Sequence, residues 1–276
     1  MIHSVLLTGA TGFVGKQVLK ALQTEKTEII LVVRSGWQEK IKNQDGITRV
    51  IETKDLFAES TEWWADCCKG IDTIIHVAWY TKPGKYLLSD KNMDCLQGTL
   101  NLAKAAALAG VKKFVGVGTC FEYEFAGGML TIDTSLKPIT PYAGAKAATY
   151  LALSQWLPQH NIKFTWCRLF YLYGEGEDKR RLVPYIRSKL ENGCVAELTS
   201  GNQIRDFMDV EDAGQMIVDI SNNSVQGPVN ICTGIPITVR QLAEKIADEY
   251  GRRDLLKFGV RADNVVDPSC VVGVRS

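Results

Sequence analysis

The sequence predicts an α/β protein, a doubly wound parallel sheet joined to a smaller lobe that faces the substrate. Three observations carry this reading. Short β-branched segments alternate with longer amphipathic ones through the first half of the 276 residues. A glycine-rich turn follows the first of those segments directly. After about Tyr173 the rhythm changes to shorter, more mixed segments.

In chain order, Val5 to Thr8 reads as a strand and Val14 to Gln23 as a helix. Glu28 to Val33 is a strand hydrophobic on both faces, as a sheet covered on both sides requires. Ile47 to Ile51 and Thr73 to Val77 continue the sheet, and Asn92 to Ala109 carries apolar residues at helical spacing up to Gly110, a left-handed cap. Lys113 to Val117 is the fifth strand, Tyr142 to Leu157 a helix begun at Pro141 and stopped by Pro158, and Phe164 to Leu169 the sixth strand. Beyond the polar stretch from Gly174 to Arg181 come helices at Val183 to Asn192, Val210 to Ser221 and Val239 to Tyr250, with a hairpin-like region at Val195 to Phe207. The expected division is a dinucleotide-binding domain at 1–173, rejoined by 206–235, and a smaller lobe at 174–205 and 236–276. The last residues, Val271 to Ser276, have neither helix cap nor polar tail, which leads us to expect that a C-terminal segment is missing.

Composition narrows the function. Thirty-two basic residues against 31 acidic ones give a net charge of +1, which argues against nucleic acid or an anionic membrane surface as the main partner. Hydrophobic residues at 46% and charged ones at 23% exclude a disordered chain. No apolar run reaches the length of a membrane span, and the N-terminus lacks the basic region of a signal peptide. The eight cysteines form no CxxC pair, so they read as thiols of a cytoplasmic protein, and no metal site is expected.

Gly9-Ala10-Thr11-Gly12-Phe13-Val14-Gly15 lies between the first strand and the first helix. Gly9 permits the tight turn, Gly12 the approach of a pyrophosphate to the backbone, and Gly15 close packing of helix on sheet. The helix end supplies unpaired N–H groups and partial positive charge for the phosphates, which makes this a Rossmann-type cofactor cradle. The second strand ends at Arg34, where Asp or Glu would suit the ribose hydroxyls of NAD; a guanidinium fits a 2′-phosphate, so NADP(H) is favoured and NAD(H) remains possible. Tyr142 and Lys146 stand four residues apart, on one face of a helix, as a phenol and ammonium suited to proton transfer. The lysine, together with an oxidised nicotinamide, is expected to lower the phenol's pKa. Thr119 ends a parallel strand, where open α/β sheets bind ligands.

Taken together, these residues resemble the extended short-chain dehydrogenases/reductases of the nucleotide-sugar epimerase/dehydratase/reductase group. Asp55-Leu56, His76-Val77-Ala78, Asn92 with Gly98 to Leu102, Arg168-Leu169-Phe170 with Tyr173-Gly174, Arg205-Asp206-Phe207 with Val210 and Asp212, Asn230-Ile231 and Thr238-Val239 follow in the same family order. The resemblance implies that Asp55 and Leu56 hold the adenine, that Ala78 lines the cofactor, and that Lys146 binds the nicotinamide ribose. It implies Thr119, Tyr142 and Lys146 as the catalytic set, Arg205 as a diphosphate contact, and a homodimer through the helices at 92–109 and 142–157.

Departures from the family pattern narrow the reaction. Family dehydratases carry an acid pair after the catalytic Thr, where this chain has Cys120 and Phe121. Tyr171 replaces the usual Asn of the diphosphate site, and Trp79 and Tyr80 stand where a small residue is common, placing all three as candidate substrate contacts. His76 reads as structural and Cys120 as a pocket thiol without a base. The expectation is an NAD(P)H-dependent reductase of a nucleotide-linked 4-keto-6-deoxysugar. The alternatives are a nucleotide-sugar 4-epimerase with tightly held NAD and, less fitting given the intact catalytic set, a non-catalytic nucleotide sensor.

Overall fold

The computed structural model describes residues 3–41, 44–125, 128–263 and 268–275. Its elements are β1 (His3–Thr8), α1 (Phe13–Leu22), β2 (Thr27–Arg34), α2 (Gln38–Ile41), β3 (Ile47–Thr53), α3 (Thr61–Cys67), β4 (Thr73–His76), α4 (Lys91–Ala109) and β5 (Lys113–Thr119). Then come β6 (Met129–Leu130), α5 (Pro141–Trp156), β7 (Lys163–Leu169), β8 (Tyr171–Tyr173), α6 (Leu182–Glu191), β9 (Ala196–Glu197), β10 (Ile204–Arg205) and β11 (Phe207–Asp209). The chain continues through α7 (Val210–Asn222), β12 (Gly227–Ile231), β13 (Ile237–Thr238), α8 (Val239–Glu249), β14 (Leu256–Lys257) and β15 (Cys270–Gly273).

Seven strands form one parallel sheet in the order β12-β7-β5-β4-β1-β2-β3. The order reverses between β1 and β4, and the crevice at such a switch point is where open α/β sheets take their ligands. Helices cover both faces, so β5 is buried along its whole length. One core lies under α1 and α7 and includes Val18, Leu22, Leu31 and Ile217; the other lies under α3, α4 and α5 and includes Trp64, Leu102, Phe114 and Trp166. Burying each such side chain contributes roughly 1.5–3 kcal/mol. The helices start where local chemistry says they must. Thr140 caps α5, accepting from Ala143 N–H at 3.2 Å with Pro141 in the first turn, and Gly110 ends α4 in the left-handed conformation.

The smaller elements gather around a third core, in which Val183, Ile186 and Leu190 of α6 meet Leu242, Ala243 and Ile246 of α8. The expected hairpin at Val195 to Phe207 does not form. β9 pairs in parallel with β14, while β10 pairs antiparallel to β13 and parallel to β15. Between β9 and β10 the turn at Gly201 (φ +73°) docks on the start of α8, where Arg240 N–H donates to the Gly201 carbonyl at 2.9 Å. The second two-residue strand is therefore directed away from the first. Val271 and Val272 are fully buried in β15, and among the described residues no helix is long and apolar enough to cross a membrane.

Candidate active site

At the C-terminal ends of the sheet strands lies a cleft of about 870 Å³. Its first wall is the glycine turn. Gly9 has a φ of +79°, and a Cβ there would lie 2.7 Å from the Ala78 amide nitrogen; one on Gly15 would run into the Gly9 carbonyl. Gly12 N–H donates to the Gly9 carbonyl at 2.9 Å, and Gly12 caps α1 with no side-chain bond. Thr11, Gly12, Phe13, Val14 and Gly15 line the cleft, so the open end of α1 forms a backbone cradle suited to the phosphates of a dinucleotide. Arg34, Asp55, Leu56 and Ala78 line the same wall. Arg34 is exposed, while Glu52 accepts the N–H groups of Gly36, Trp37 and Gln38 at 2.9, 3.0 and 2.7 Å. In that loop the guanidinium is thus the cationic group offered to the cleft.

His76 holds the strand ends together. Thr99 donates to the Cys95 carbonyl at 2.7 Å, so the His76 Nε2–H must be the donor in its 3.0 Å bond to Thr99. Nδ1 then accepts from Thr8 at 2.9 Å, and Thr8 in turn accepts from Ala78 N–H. Burial, aided by the Lys146 charge, pushes His76 down to about 3 and keeps it neutral.

Beyond His76, Thr119, Tyr142 and Lys146 converge. Thr119 ends β5, caps the following turn and lines the cleft with Tyr142. Burial drives the Tyr142 phenol well above its ordinary value, with a smaller push from Tyr86 and opposition from Thr119. Lys146 Nζ donates to the Val117 carbonyl at 2.5 Å and lies 3.8 Å from the centre of the Trp79 ring, and burial brings its ammonium down to about 7. Trp79 is itself anchored, donating through Nε1 to Asn92 at 2.9 Å. Trp79, Tyr80 and Tyr171 all line the cleft. Arg205 does not: it is buried on β10, donates to the Ile204 carbonyl at 2.8 Å, and lies 5.1 Å from the ring of the cleft-lining Tyr171. Burial, with Glu122 adding to it, raises the Cys120 thiol far above its ordinary value, so it is an inert lining group.

Two groups of residues escaped the sequence reading. Beneath Thr119, the buried Glu122 accepts from Thr119 N–H at 2.8 Å, from Trp166 Nε1 at 3.0 Å and from Arg168 Nε at 2.8 Å. Burial pushes its carboxyl upward and Arg168 opposes; all three neighbours are donors, so the carboxylate is the form the site accommodates. Arg168 continues to Tyr123, and Tyr123 to Asn230. Gly116 and Gly118 make room for the Trp166 ring. Thr119-x-x-Glu122 is a capping-box spacing, the one signal that could have revealed this carboxylate. At the cleft mouth, Glu177 pairs with Arg181 at 3.3 Å, and burial pushes its carboxyl up to about 7. Among the described residues all eight cysteines are free thiols, and no cluster of three metal-ligating side chains occurs.

Residues 5–232 match the NAD dependent epimerase/dehydratase family. The chain is 23% identical to the dTDP-6-deoxy-L-talose 4-dehydrogenase (NAD(+)) of Aggregatibacter actinomycetemcomitans, over 99% of this chain and 100% of that protein. It is 25% identical to the CDP-abequose synthase of Salmonella typhimurium, over 92% of this chain and 84% of that protein. In fold it is similar to the UDP-N-acetylglucosamine 4-epimerase of Methanobrevibacter ruminantium solved with UDP-N-acetylmuramic acid, with a TM-score of 0.86, 22% identity, and coverage of 100% of this chain and 91% of that one.

Proposed function

The chain belongs to the NAD dependent epimerase/dehydratase family, and from that premise we propose that it is an NAD(P)H-dependent reductase of a nucleotide-linked 4-keto-6-deoxysugar. The observation that carries the reading is the Thr119–Tyr142–Lys146 convergence beside the Gly9 cradle, with Cys120 and Phe121 in place of an acid and a base. The relative from Aggregatibacter, named for redox chemistry at position 4 of a 6-deoxysugar, supports the same reaction class.

The glycine turn and the α1 end would hold the cofactor's pyrophosphate, Asp55 and Leu56 its adenosine, and Lys146 its nicotinamide ribose. When bound, the nicotinamide supplies the hydride. Thr119 offers its hydroxyl to the keto oxygen and fixes that oxygen against Tyr142. As the carbonyl carbon is reduced, Tyr142 gives its phenolic proton to the oxygen, completing the alcohol. Lys146, brought near neutrality by burial, stabilises the tyrosinate left behind whenever it is protonated. Trp79 and Tyr80 close the cleft wall and exclude water. Arg34 would pair with a 2′-phosphate and favour NADPH.

We further propose a homodimer through α4 and α5. Their residues Met93, Leu108 and Leu151 are 62%, 74% and 55% exposed, and such a pairing would cover them. Sedimentation as a monomer would contradict it.

The test is a screen of dTDP-, CDP-, GDP- and UDP-linked 4-keto-6-deoxysugars with NADPH and NADH, following the nicotinamide absorbance. Consumption with one of them supports the reductase. Copurifying, tightly held NAD with substrate isomerised and no net cofactor consumption would make the protein a 4-epimerase.

A further inference from the structure

Glu177 lies in the stretch after β8 that reads in sequence as a solvated loop, yet its side chain is only 4% exposed. One carboxylate oxygen, Oε1, faces Arg181 at 3.3 Å. The other, Oε2, is buried without a hydrogen-bond partner, and the residue lines the cleft. A buried carboxylate oxygen with no donor is an uncommon arrangement, and one placed in a binding cleft has an obvious means of relief, a donor on the ligand.

The position narrows which donor. The cofactor wall is built by the loops after β1, β2 and β3, whereas Glu177 follows β8 and is tied to Tyr142 through its neighbours. The Arg181 charge acts on the Tyr86 phenol, and the Tyr86 ring meets the Tyr142 ring edge-on at 4.8 Å. Glu177 is therefore linked through two side chains to the group that would donate the proton. A phosphate is a poor occupant there, because its charge has the same sign as the carboxylate. A hydroxyl is a good one, since it donates to the anion in a short charge-assisted bond. Hydroxyls come from the hexose ring or from a ribose, and the link from Glu177 through Arg181 and Tyr86 to Tyr142, beside which the reacting sugar would sit, favours the hexose.

We propose that Glu177 is a specificity-determining residue of the sugar subsite, its Oε2 accepting a hydrogen bond from a hydroxyl of the hexose ring. The inference rests on the nucleotide-sugar reading above and adds the group that selects the sugar. Arg181 plays the positioning part: it engages Oε1 and leaves Oε2 without a donor.

The test uses the full chain saturated with NADP+, titrated calorimetrically with dTDP-, UDP- and CDP-glucose. The tightest of these is then compared with its own nucleoside diphosphate. Glu177→Ala should weaken the nucleotide hexose about 10- to 100-fold, the usual range for one charge-assisted bond, and leave the nucleoside diphosphate within about twofold. Glu177→Gln, which keeps an acceptor oxygen, should lose less than Glu177→Ala. Thermal unfolding of both variants close to wild type keeps the comparison one of recognition rather than folding. Unchanged affinity for the nucleotide hexose would overturn the proposal, and so would equal weakening of hexose and diphosphate ligands, which would place the contact on the nucleotide's ribose. A wild-type protein that binds NADP+ but none of the nucleotide hexoses would overturn the substrate class itself, and with it this assignment.

Discussion

Replacing Glu122 by Gln keeps the side chain's shape and removes one charge from the floor of the site. The carboxylate is fully buried and receives Arg168 Nε, Trp166 Nε1 and Thr119 N–H. An amide there turns one acceptor into a donor, so an N–H must point at another N–H, and Arg168, itself 1% exposed, keeps Tyr123 but loses its counter-charge. Breaking one side of a buried ion pair costs about 3–5 kcal/mol. Domains of this size lose about 2–4 °C of Tm per kcal/mol, so Glu122→Gln should melt about 6–20 °C below wild type. Because the amide leaves either Thr119 N–H or Arg168 Nε–H facing a donor, the end of β5 that carries Thr119 is displaced, and kcat should fall about 100-fold, the cost of a misplacement near 1 Å, while KM for the cofactor changes little. Urea unfolding monitored by Trp fluorescence gives the first number and steady-state kinetics the second. The double variant Glu122→Met with Arg168→Met should recover much of the stability, because apolar replacement of both partners is often neutral or better. A single variant within about 1 kcal/mol of wild type would refute the coupled pair.

Tyr142→Phe should lose about 100- to 10,000-fold in turnover with cofactor affinity retained, and a variant keeping a tenth of wild-type rate would reject Tyr142 as proton donor. Arg34→Asp should reverse an NADPH preference of about 10- to 100-fold, since it removes a charge-assisted partner of the 2′-phosphate and repels that phosphate; equal affinities for NADPH and NADH in the wild type would remove Arg34 from the site. His76 sets an acid limit on stability. The unfolded chain takes up its proton near 6.5 and the folded chain only at about 3, so stability present above 6.5 is lost as pH falls through that window. Urea midpoints from pH 7 to 4 should fall less steeply for His76→Asn, and parallel curves would show that His76 is not held neutral.

Much of this was readable from the sequence because it is local. Gly9, Gly12 and Gly15, the Tyr142–Lys146 spacing, Pro141 and Gly110 each obey a rule that spans at most one helical turn or a tight bend, and each is found where that rule puts it. What escaped is set by register and packing. Glu122 finds Trp166 and Arg168 because β5 pairs with β7 so that Gly116 faces Trp166 and Gly118 faces Arg168, across 44 and 46 residues of chain. The two-residue strands β9, β10, β13 and β14 are too short to carry a period, and their partners are chosen by tertiary docking. The α3 helix spans seven residues, with Ser60 as its cap, too short for an apolar stripe to stand out. Glu177 looks solvated in sequence because six of the eight residues from Gly174 to Arg181 are charged; only the fold turns it inward.

The most direct test of the central claim follows one hydrogen. NADPH carrying deuterium at the transferable position of its nicotinamide, given with the accepted 4-keto-6-deoxysugar nucleotide, should yield a sugar heavier by one deuterium at C4 for every cofactor oxidised. Tyr142→Phe should abolish both signals together. Isomerised sugar with no deuterium and no cofactor oxidised would contradict the reductase outright.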